Sequence, residues 1–349
     1  PRRLALIINQ LDINQADKQQ QRRGPAVSAA FDDDGKPTRA TEGFAKSCGV
    51  AVDQLDNMKT EKGSWLVFDT LVKGKQTQEL IPDMINIALK RLPIAKRMRW
   101  GNNDFEFVRP IKWILLLLGT ESIDCEIMGV KSGKHSYGHR FHHPESINIT
   151  HASNYVEILK QNGKVIADYN ERCSLIKEQI EKVATENNGI AVIDPELLDE
   201  VTALVEWPIS FVGNFNSDFL KLPKEVLIAS MQDHQKYFPI LDKQKKLLAS
   251  FICVTNIESK QPDLIKQGNE RVIQPRLSDA AFFWKRDLKN GLAKHIVGLN
   301  KVVYQKELGT LHEKSKRLNK IISNLAKPLN IDVNNAKRAA ELCFCDLLT

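Results

Sequence analysis

LPKEVLIASMQDHQKYFPIL, at residues 222–241, carries the clearest local signals in the chain. Apolar residues recur at helical spacing from Val226 to Met231. Pro223 stands at the start of this predicted helix, where its missing N–H leaves no hydrogen bond unmade. Pro239 prevents the helix from continuing, because a proline ring cannot donate to the preceding turn. The segment therefore predicts a short amphipathic helix that ends before Pro239.

The downstream segment GNERVIQPRLSDAAFFWKRDLK, at residues 268–289, predicts a second helix that begins at Ser278. A serine is a good N-cap, and aromatic residues follow it directly. Lys285, Arg286 and Lys289 come near the end of this helix, where positive charge suits the helix dipole. The simplest interpretation is a buried aromatic helix with a solvated basic end.

The length, composition and net charge of the chain favour a globular protein with a polyanionic partner. A length of 349 residues suggests about two domains, and 42% hydrophobic with 27% charged residues is ordinary for a globular fold. The net charge of +7 favours a partner such as nucleic acid. The longest aliphatic run, residues 114–118, is too short to span a bilayer. Six cysteines without a CxxC pair indicate reduced thiols in a cytoplasmic protein.

Hydrophobic periodicity predicts an α+β fold. The predicted strands include residues 4–8, 65–72, 209–212 and 247–256, and the predicted helices include residues 77–92, 155–161 and 171–186. From residue 290 onward three helices are predicted, at residues 292–308, 311–325 and 333–348, with no strand between them. We therefore expect a mixed α/β domain over residues 1–289, with a further break near residue 150 as an alternative. Residues 290–349 are expected to start an all-helical domain.

Basic residues beside turns and aromatics are candidates for nucleic-acid contact. Arg22 and Arg23 precede a Gly-Pro turn, which suits either a phosphate grip or a solvated surface. Arg97 and Arg99 lie beside Trp100, an arrangement that suits base stacking or a subunit interface equally. Four histidines crowd into KHSYGHRFHHP, at residues 134–144. Because no Asp or Glu completes a usual ligand spacing there, a structural or RNA-contact loop is favoured over a metal site.

Several long strings carry a family resemblance. MQDHQKYFPI, FICVTNIES and GNERVIQPRLSDAAFFWKRD closely resemble the beta subunit of bacterial heterotetrameric glycyl-tRNA synthetase. Shorter strings in the same order are RRGP, MRWG, FVRPIKWILLLLG, GHRF and VEWP. The resemblance covers essentially the whole chain and implies a fragment that lacks the extreme N-terminus and the C-terminal anticodon-binding region.

The resemblance implies a function as well as a fold. The family enzyme joins glycine to its tRNA with ATP; its alpha subunit carries the synthetase active site, and its beta subunit binds tRNA and holds the tetramer together. We therefore expect a tRNA-binding and structural chain, cytoplasmic, whose partners are the alpha subunit in an α2β2 tetramer and tRNA(Gly). No catalytic residue, metal or cofactor is expected in this chain, with ATP and Mg used by the alpha subunit. The fold implied is an editing-type module, as in the phenylalanyl-tRNA synthetase beta chain, followed by a truncated HD-type helical domain.

The site predictions combine the basic clusters with the matched strings. The residues expected to contact RNA, on one electropositive face, are Arg22, Arg23, Arg97, Arg99, Arg140, Lys236, Arg271, Arg276, Lys285 and Arg286. The alternative function is a hydrolytic editing or phosphohydrolase-type module that acts on charged tRNA or a nucleotide, for which His139, His234 and Asp233 are the candidates. The chain has no Gly-rich phosphate loop, no GxSxG elbow, no HExxH and no His-Asp dipeptide. A third interpretation is a general RNA-binding scaffold without a synthetase partner.

Overall fold

The structure is a computed structural model that describes residues 3–32, 35–60 and 63–349. Helices and strands are both abundant, so the mixed α+β class predicted from the sequence is confirmed. None of the helices in the described part of the chain combines the length and apolar character that crossing a bilayer requires.

The chain folds into two compact units. The amino-terminal unit comprises Leu4–Gly138 and Pro144–Gly163. The carboxy-terminal unit comprises Lys164–Thr349, together with Arg3 and the short segment His139–His143. That segment is separated in sequence from the rest of its unit, which makes it an inserted loop of the carboxy-terminal unit.

The first part of the amino-terminal unit is a small sheet with short helices. Its elements are β1 (Lys18–Ala26), α1 (Val27–Ala30), α2 (Arg39–Cys48), β2 (Asp56–Thr60), β3 (Gly63–Val72) and α3 (Thr77–Arg91). The strands form an antiparallel sheet in the order β1-β3-β2. Leu66 and Val67 of the central strand are buried, and as neighbours on a strand they point to opposite faces. The strand predicted at residues 65–72 and the helix at 77–92 are confirmed.

The second part of this unit consists mainly of very short strands with buried aliphatic residues. Its elements are β4 (Ile114–Leu115), β5 (Leu117–Leu118), β6 (Glu121–Ser122), β7 (Glu126–Ile127), β8 (Val130–Gly133), β9 (His135–Tyr137), β10 (Ser146–Asn148) and α4 (Tyr155–Gln161). Its buried aliphatic residues are Ile123, Ile127, Ile147, Ile149 and Leu159. Helix α4 has the predicted bounds, because Gly163 follows it closely.

The buried strand predicted at residues 4–8 is wrong. These residues have no regular secondary structure, and Leu4, Leu6 and Ile8 are 73%, 83% and 59% exposed. An apolar run becomes a buried strand only where a partner strand pairs with it, and none of the described sheets of this unit includes residues 4–8.

The carboxy-terminal unit is built around a four-stranded antiparallel sheet. Its elements up to the last strand of that sheet are α5 (Tyr169–Glu186), β11 (Ile190–Ala191), α6 (Pro195–Leu204), β12 (Ile209–Asn214), α7 (Lys224–Ala229), a π-helical turn (Ser230–His234), β13 (Phe238–Leu241) and β14 (Leu247–Thr255). The strand order is β11-β13-β14-β12. The predicted short helix and the predicted strand near residues 247–256 are confirmed, and β13, which contains Pro239, was not predicted.

Helices cover both faces of this sheet. On one face Ile252 of β14 packs with Ile176 and Ile180 of α5 and with residues of α6. On the other face Phe251, the neighbour of Ile252, packs with Leu227 of α7 and with the helix that follows β14. Because successive side chains of β14 point to opposite faces of the sheet, this strand contributes to two separate apolar cores.

The helix after β14 is longer than predicted. Helix α8 runs as one element over Pro262–Asn290 and contains Pro275 in its interior. Ser278 is therefore not an N-cap, and its Oγ donates instead to the Gln274 carbonyl oxygen at 2.9 Å. Ile273 and Leu277, on either side of the proline, are fully buried. Their burial offsets the hydrogen bond that Pro275 cannot make.

The segment after residue 290 is not all-helical, which corrects that prediction. Short 3₁₀ turns lead to β15 (Val303–Gln305) and β16 (Gly309–Thr310), which pair as a two-stranded antiparallel sheet before α9 (Leu311–Leu325) and α10 (Val333–Leu342). The apolar spacing at residues 292–308 predicted a helix, but the exposed Val303 and Tyr304 place this run in a hairpin. Helix α9 has the predicted bounds, and its start is fixed by a reciprocal capping box between Thr310 and Glu313.

Candidate nucleic-acid interface

Arg22 and Arg23 are exposed on strand β1, and each is held by a neighbouring element. Arg22 donates from Nη1 to the Ser47 carbonyl oxygen at 2.7 Å and from Nη2 to Ser47 Oγ at 3.2 Å. The guanidinium of Arg23 lies 3.6 Å from the ring centroid of Trp65 on β3. A cation over an indole face is a stable arrangement that leaves N–H groups at the guanidinium edge for an external acceptor.

Arg97 and Arg99 both have partners within the amino-terminal unit. Arg97 donates to carbonyl oxygens in the last turn of α3, including that of Lys90 at 2.9 Å. It thereby satisfies acceptors that the helix end leaves open. Arg99 Nε lies 2.9 Å from Glu106 Oε1, and Arg99 Nη1 lies 3.6 Å from Asp104 Oδ1. The two carboxylates offset the charge of Arg99, whereas Arg97 keeps its charge and uses donors on backbone oxygens. Phosphate contact by the two arginines stays a prediction.

The carboxy-terminal unit holds the remaining predicted cations. Lys236 Nζ lies 2.9 Å from Glu200 Oε2, so its charge is locally compensated. Four more lie on exposed positions of α8, and they are Arg271, Arg276, Lys285 and Arg286. Within the described ranges, none of these four side chains makes an ion pair or hydrogen bond. A helix that displays uncompensated cations suits phosphate binding. The single electropositive face predicted for all ten residues stays a prediction.

The inserted loop His139–His143 is organised by a buried histidine. His139 is fully buried, and its Nε2 lies 2.6 Å from the backbone oxygen of Asn256. Its Nδ1 accepts from the backbone N–H groups of Phe141 and His142, at 3.3 Å each. These partners require the neutral tautomer with hydrogen on Nε2. Burial lowers the pKa of His139 from its ordinary value of 6.5, and the nearby His142 acts in the same direction.

This hydrogen bonding decides what the histidine cluster can do. Because both ring nitrogens of His139 are engaged, neither is available to activate a water molecule for hydrolysis. In the part of the chain that the structure describes, no group of three or more His, Cys, Asp or Glu could hold a metal ion. The observed role of His139 is to fix the conformation of the loop, and the exposed Arg140 and Phe141 are what the loop displays.

The other two candidates for hydrolysis lie in the π-helical turn after α7. Asp233 and His234 close this turn before β13. A cleft of about 530 Å³ in the same unit, between α5, β11 and α6, has neither of them nor His139 in its lining. The structure therefore does not gather the three candidates around that cleft.

A buried polar network lies next to the loop, and the sequence did not single it out. Glu206 is 7% exposed, and its Oε1 accepts from Arg3 Nε at 2.6 Å. Asn256 Oδ1 accepts from the backbone N–H groups of Glu206 at 2.6 Å and Trp207 at 3.0 Å. Asn256 thus connects the end of β14 to both the loop and the segment before β12. The sequence feature that could have indicated this network is Glu206, a carboxylate within the otherwise apolar string VEWP.

Comparison with known proteins assigns the chain to a family. The family model described as "Glycyl-tRNA synthetase beta subunit" matches residues 1–349. Two similar relatives, each named glycine–tRNA ligase beta subunit, are those of Hahella chejuensis, 48% identical over 349 residues, and Marinobacter nauticus, 49% identical over 350 residues. The alignments cover 100% of this chain and 50% of each relative, so the chain spans about half the length of the curated relatives it matches. On its sequence and over its whole length, the chain belongs to the glycyl-tRNA synthetase beta subunit family.

Proposed function

We propose that this chain is part of the tRNA-binding and structural beta subunit of a glycine–tRNA ligase. In this role it supports the ATP-dependent attachment of glycine to tRNA by an alpha subunit. The observation that carries the proposal is the 48% identity, over all 349 residues, to a protein named glycine–tRNA ligase beta subunit. Since the chain spans half of that relative, the activity of the complete enzyme is proposed for the longer protein that contains these residues.

The proposed partners are the alpha subunit, in an α2β2 tetramer, and tRNA(Gly). The family name supports the first, because a beta subunit implies another subunit in its complex. The net charge of +7 supports the second, because a positive surface attracts a polyanion over long distances. We propose that ATP and Mg are used on the alpha subunit, that this chain holds no cofactor, and that the complex works in the cytoplasm.

The domain division and its finer assignment also stand as proposals. Residues 1–289 are proposed to resemble the editing-type module of the phenylalanyl-tRNA synthetase beta chain, and residues 290–349 to begin an HD-type domain. The paired helices α9 and α10 are compatible with the second assignment. Because the sequence contains no His-Asp dipeptide, no dimetal hydrolase activity is proposed. No observation favours the editing or phosphohydrolase alternative.

The proposed RNA contacts are the ten cations predicted from the sequence, and those on α8 have the strongest support. Their side chains are exposed and lack carboxylate partners within the described part of the chain, so phosphate would meet an uncompensated charge. Each phosphate contact contributes about 0.9 to the slope of log affinity against log salt on duplex RNA, and about 0.7 on single strands.

The experiment uses a beta subunit of the relatives' length that carries these 349 residues. It is mixed with its alpha subunit, glycine, ATP and tRNA(Gly), and both complex formation and glycine charging are measured. We expect charging only when both subunits are present. The variant Arg271→Gln should lower the salt slope of tRNA binding, whereas the control Lys243→Gln, an exposed cation outside the predicted set, should leave it unchanged. Failure of the full-length pair to associate or to charge tRNA would refute the proposal.

A further inference from the structure

Two aromatic–cation pairs lie on one surface of the carboxy-terminal unit. In the first, Phe141 is 68% exposed in the inserted loop, and the guanidinium of Arg140 lies 5.7 Å from its ring centroid. In the second, Lys164 Nζ lies 5.0 Å from the ring centroid of Trp207. An exposed aromatic ring beside a cation combines the two kinds of group that contact unpaired nucleotides, a face for stacking and a positive charge.

Hydrogen bonds connect the two pairs into one surface. Trp207 Nε1 lies 3.4 Å from Glu258 Oε2, and the backbone N–H of Glu258 donates to His142 Nε2 at 3.0 Å. His142 is the residue after Phe141, so an unbroken series of contacts joins Lys164 to the loop. We call Arg140, Phe141, Lys164 and Trp207 the Phe141–Trp207 surface.

The loop that displays Phe141 is held in place before any ligand arrives. His139 accepts the backbone N–H groups of Phe141 and His142, and its Nε2 is anchored on Asn256. The His143 backbone N–H also donates to the His139 carbonyl oxygen, at 2.8 Å. A preorganised loop loses little conformational entropy on binding, so more of the contact energy is available for affinity.

The chemistry of this surface matches an unpaired nucleotide. Aromatic faces stack on bases that are not already stacked in a duplex, and neighbouring cations pair with the phosphates on either side. Among the residues that the structure describes, neither Arg140 nor Lys164 has a carboxylate partner within ion-pair distance. Glu258 is the carboxylate in the contact series, and its Oε2 already accepts from Trp207.

We propose that the Phe141–Trp207 surface binds an unpaired stretch of tRNA, with Phe141 stacked on a base and Arg140 and Lys164 on the flanking phosphates. The inference rests on the proposed tRNA-binding function and adds three residues that the sequence did not nominate: Phe141, Lys164 and Trp207. His139 is a positioning residue, because it acts on RNA only through the loop.

The test measures tRNA(Gly) affinity of the full-length beta subunit in complex with its alpha subunit. Loss of one stacked base costs about 1–3 kcal/mol, so Phe141→Ala should weaken binding by about 5- to 160-fold, while Phe141→Trp should retain it. Arg140→Gln and Lys164→Gln should each lower the salt slope by about 0.7, the value for an unpaired strand. Val297→Ala, which truncates an exposed apolar residue of the same unit, should bind like the wild type.

The outcomes separate this inference from the function on which it rests. If the wild-type complex binds tRNA and both Phe141→Ala and Arg140→Gln bind it equally well, the surface assignment is overturned and the proposed function stands. If Phe141→Ala loses tRNA only because it loses the alpha subunit, the surface is a protein interface and the inference is again overturned. If the wild-type complex does not bind tRNA, the proposed function fails first. Competition by an unpaired RNA oligomer, but not by a duplex of equal length, would support stacking specifically.

Discussion

Asn256→Ala is the substitution that most sharply tests how the loop region is held. The side-chain oxygen of Asn256 accepts from the backbone N–H groups of Glu206 at 2.6 Å and Trp207 at 3.0 Å. Alanine removes this single acceptor and with it both hydrogen bonds, while the Asn256 backbone oxygen that His139 contacts remains. The substitution therefore isolates the two side-chain hydrogen bonds.

The expected loss follows from the number of donors left without a partner. A buried donor that loses its acceptor costs about 1–3 kcal/mol. Glu206 is buried and Trp207 half-buried, so water can reach one of the two sites more easily. We expect the free energy of unfolding to fall by about 2–4 kcal/mol, equivalent to a factor of roughly 30 to 1,000 in the folding equilibrium.

The assay is urea denaturation of the wild type and the variant, followed by tryptophan fluorescence, with Asn170→Ala as the control. Asn170 is exposed near the start of α5, and its substitution should change stability by no more than about 0.5 kcal/mol. A loss below about 0.5 kcal/mol for Asn256→Ala would show that water replaces the lost acceptor for both N–H groups at no cost. That result would refute the network as a source of stability.

Three further predictions follow from local geometry. Because burial lowers the pKa of His139 below 6.5, the unfolded chain binds more protons than the folded chain as the pH falls below that value. The contribution of His139 to the free energy of unfolding is complete above pH 6.5 and declines by up to about 1.4 kcal/mol per pH unit as the pH falls toward the folded-state pKa. Urea midpoints measured at pH 7.5 and at pH 5.5 should therefore diverge more for the wild type than for His139→Gln. Gly213→Ala should cost about 1–3 kcal/mol, because its Cβ would lie 2.5 Å from Cζ of the buried Phe251, whereas Gly43→Ala, with no atom within 4 Å, should be neutral or stabilising in the same assay. Thr310→Ala should destabilise the start of α9 by about 1 kcal/mol, which hydrogen exchange in its first turn would detect, since it removes the acceptor for the Glu313 backbone N–H.

Elements whose signals are local could be predicted from the sequence. Helix α4 has the predicted bounds because a glycine follows it, and α9 has them because a capping box starts it. Strand β14 was predicted from its apolar run, which is buried on both faces as Phe251 and Ile252 show. In each case the deciding interaction lies within a few residues of the element.

Elements that depend on distant partners could not be predicted in this way. Residues 4–8 have the apolar content of a strand and remain exposed, because no described sheet of their unit pairs with them. Pro275 and Ser278 favour a break in α8, and the burial of Ile273 and Leu277 outweighs both. Burial is a property of the assembled core, so the local sequence does not report it.

The same distinction applies to the candidate site. Arginines and lysines could be recognised as cations from the sequence. The sequence does not show which of them have a carboxylate partner that offsets their charge. Arg99 and Lys236 have carboxylate partners that are 7 and 36 residues away. Glu206 and Asn256 were overlooked because their network joins residues 50 positions apart. The histidine loop was recognised, and the structure adds that His139 fixes the loop while Arg140 and Phe141 are displayed.

The most direct test of the central claim is an exchange of segments. In the Hahella chejuensis beta subunit, the half that aligns with this chain at 48% identity would be replaced by these 349 residues, and the folded chimera would be combined with the Hahella alpha subunit. The account predicts that the chimera forms the complex and supports glycine charging of tRNA. A folded chimera that associates with neither the alpha subunit nor tRNA would contradict it.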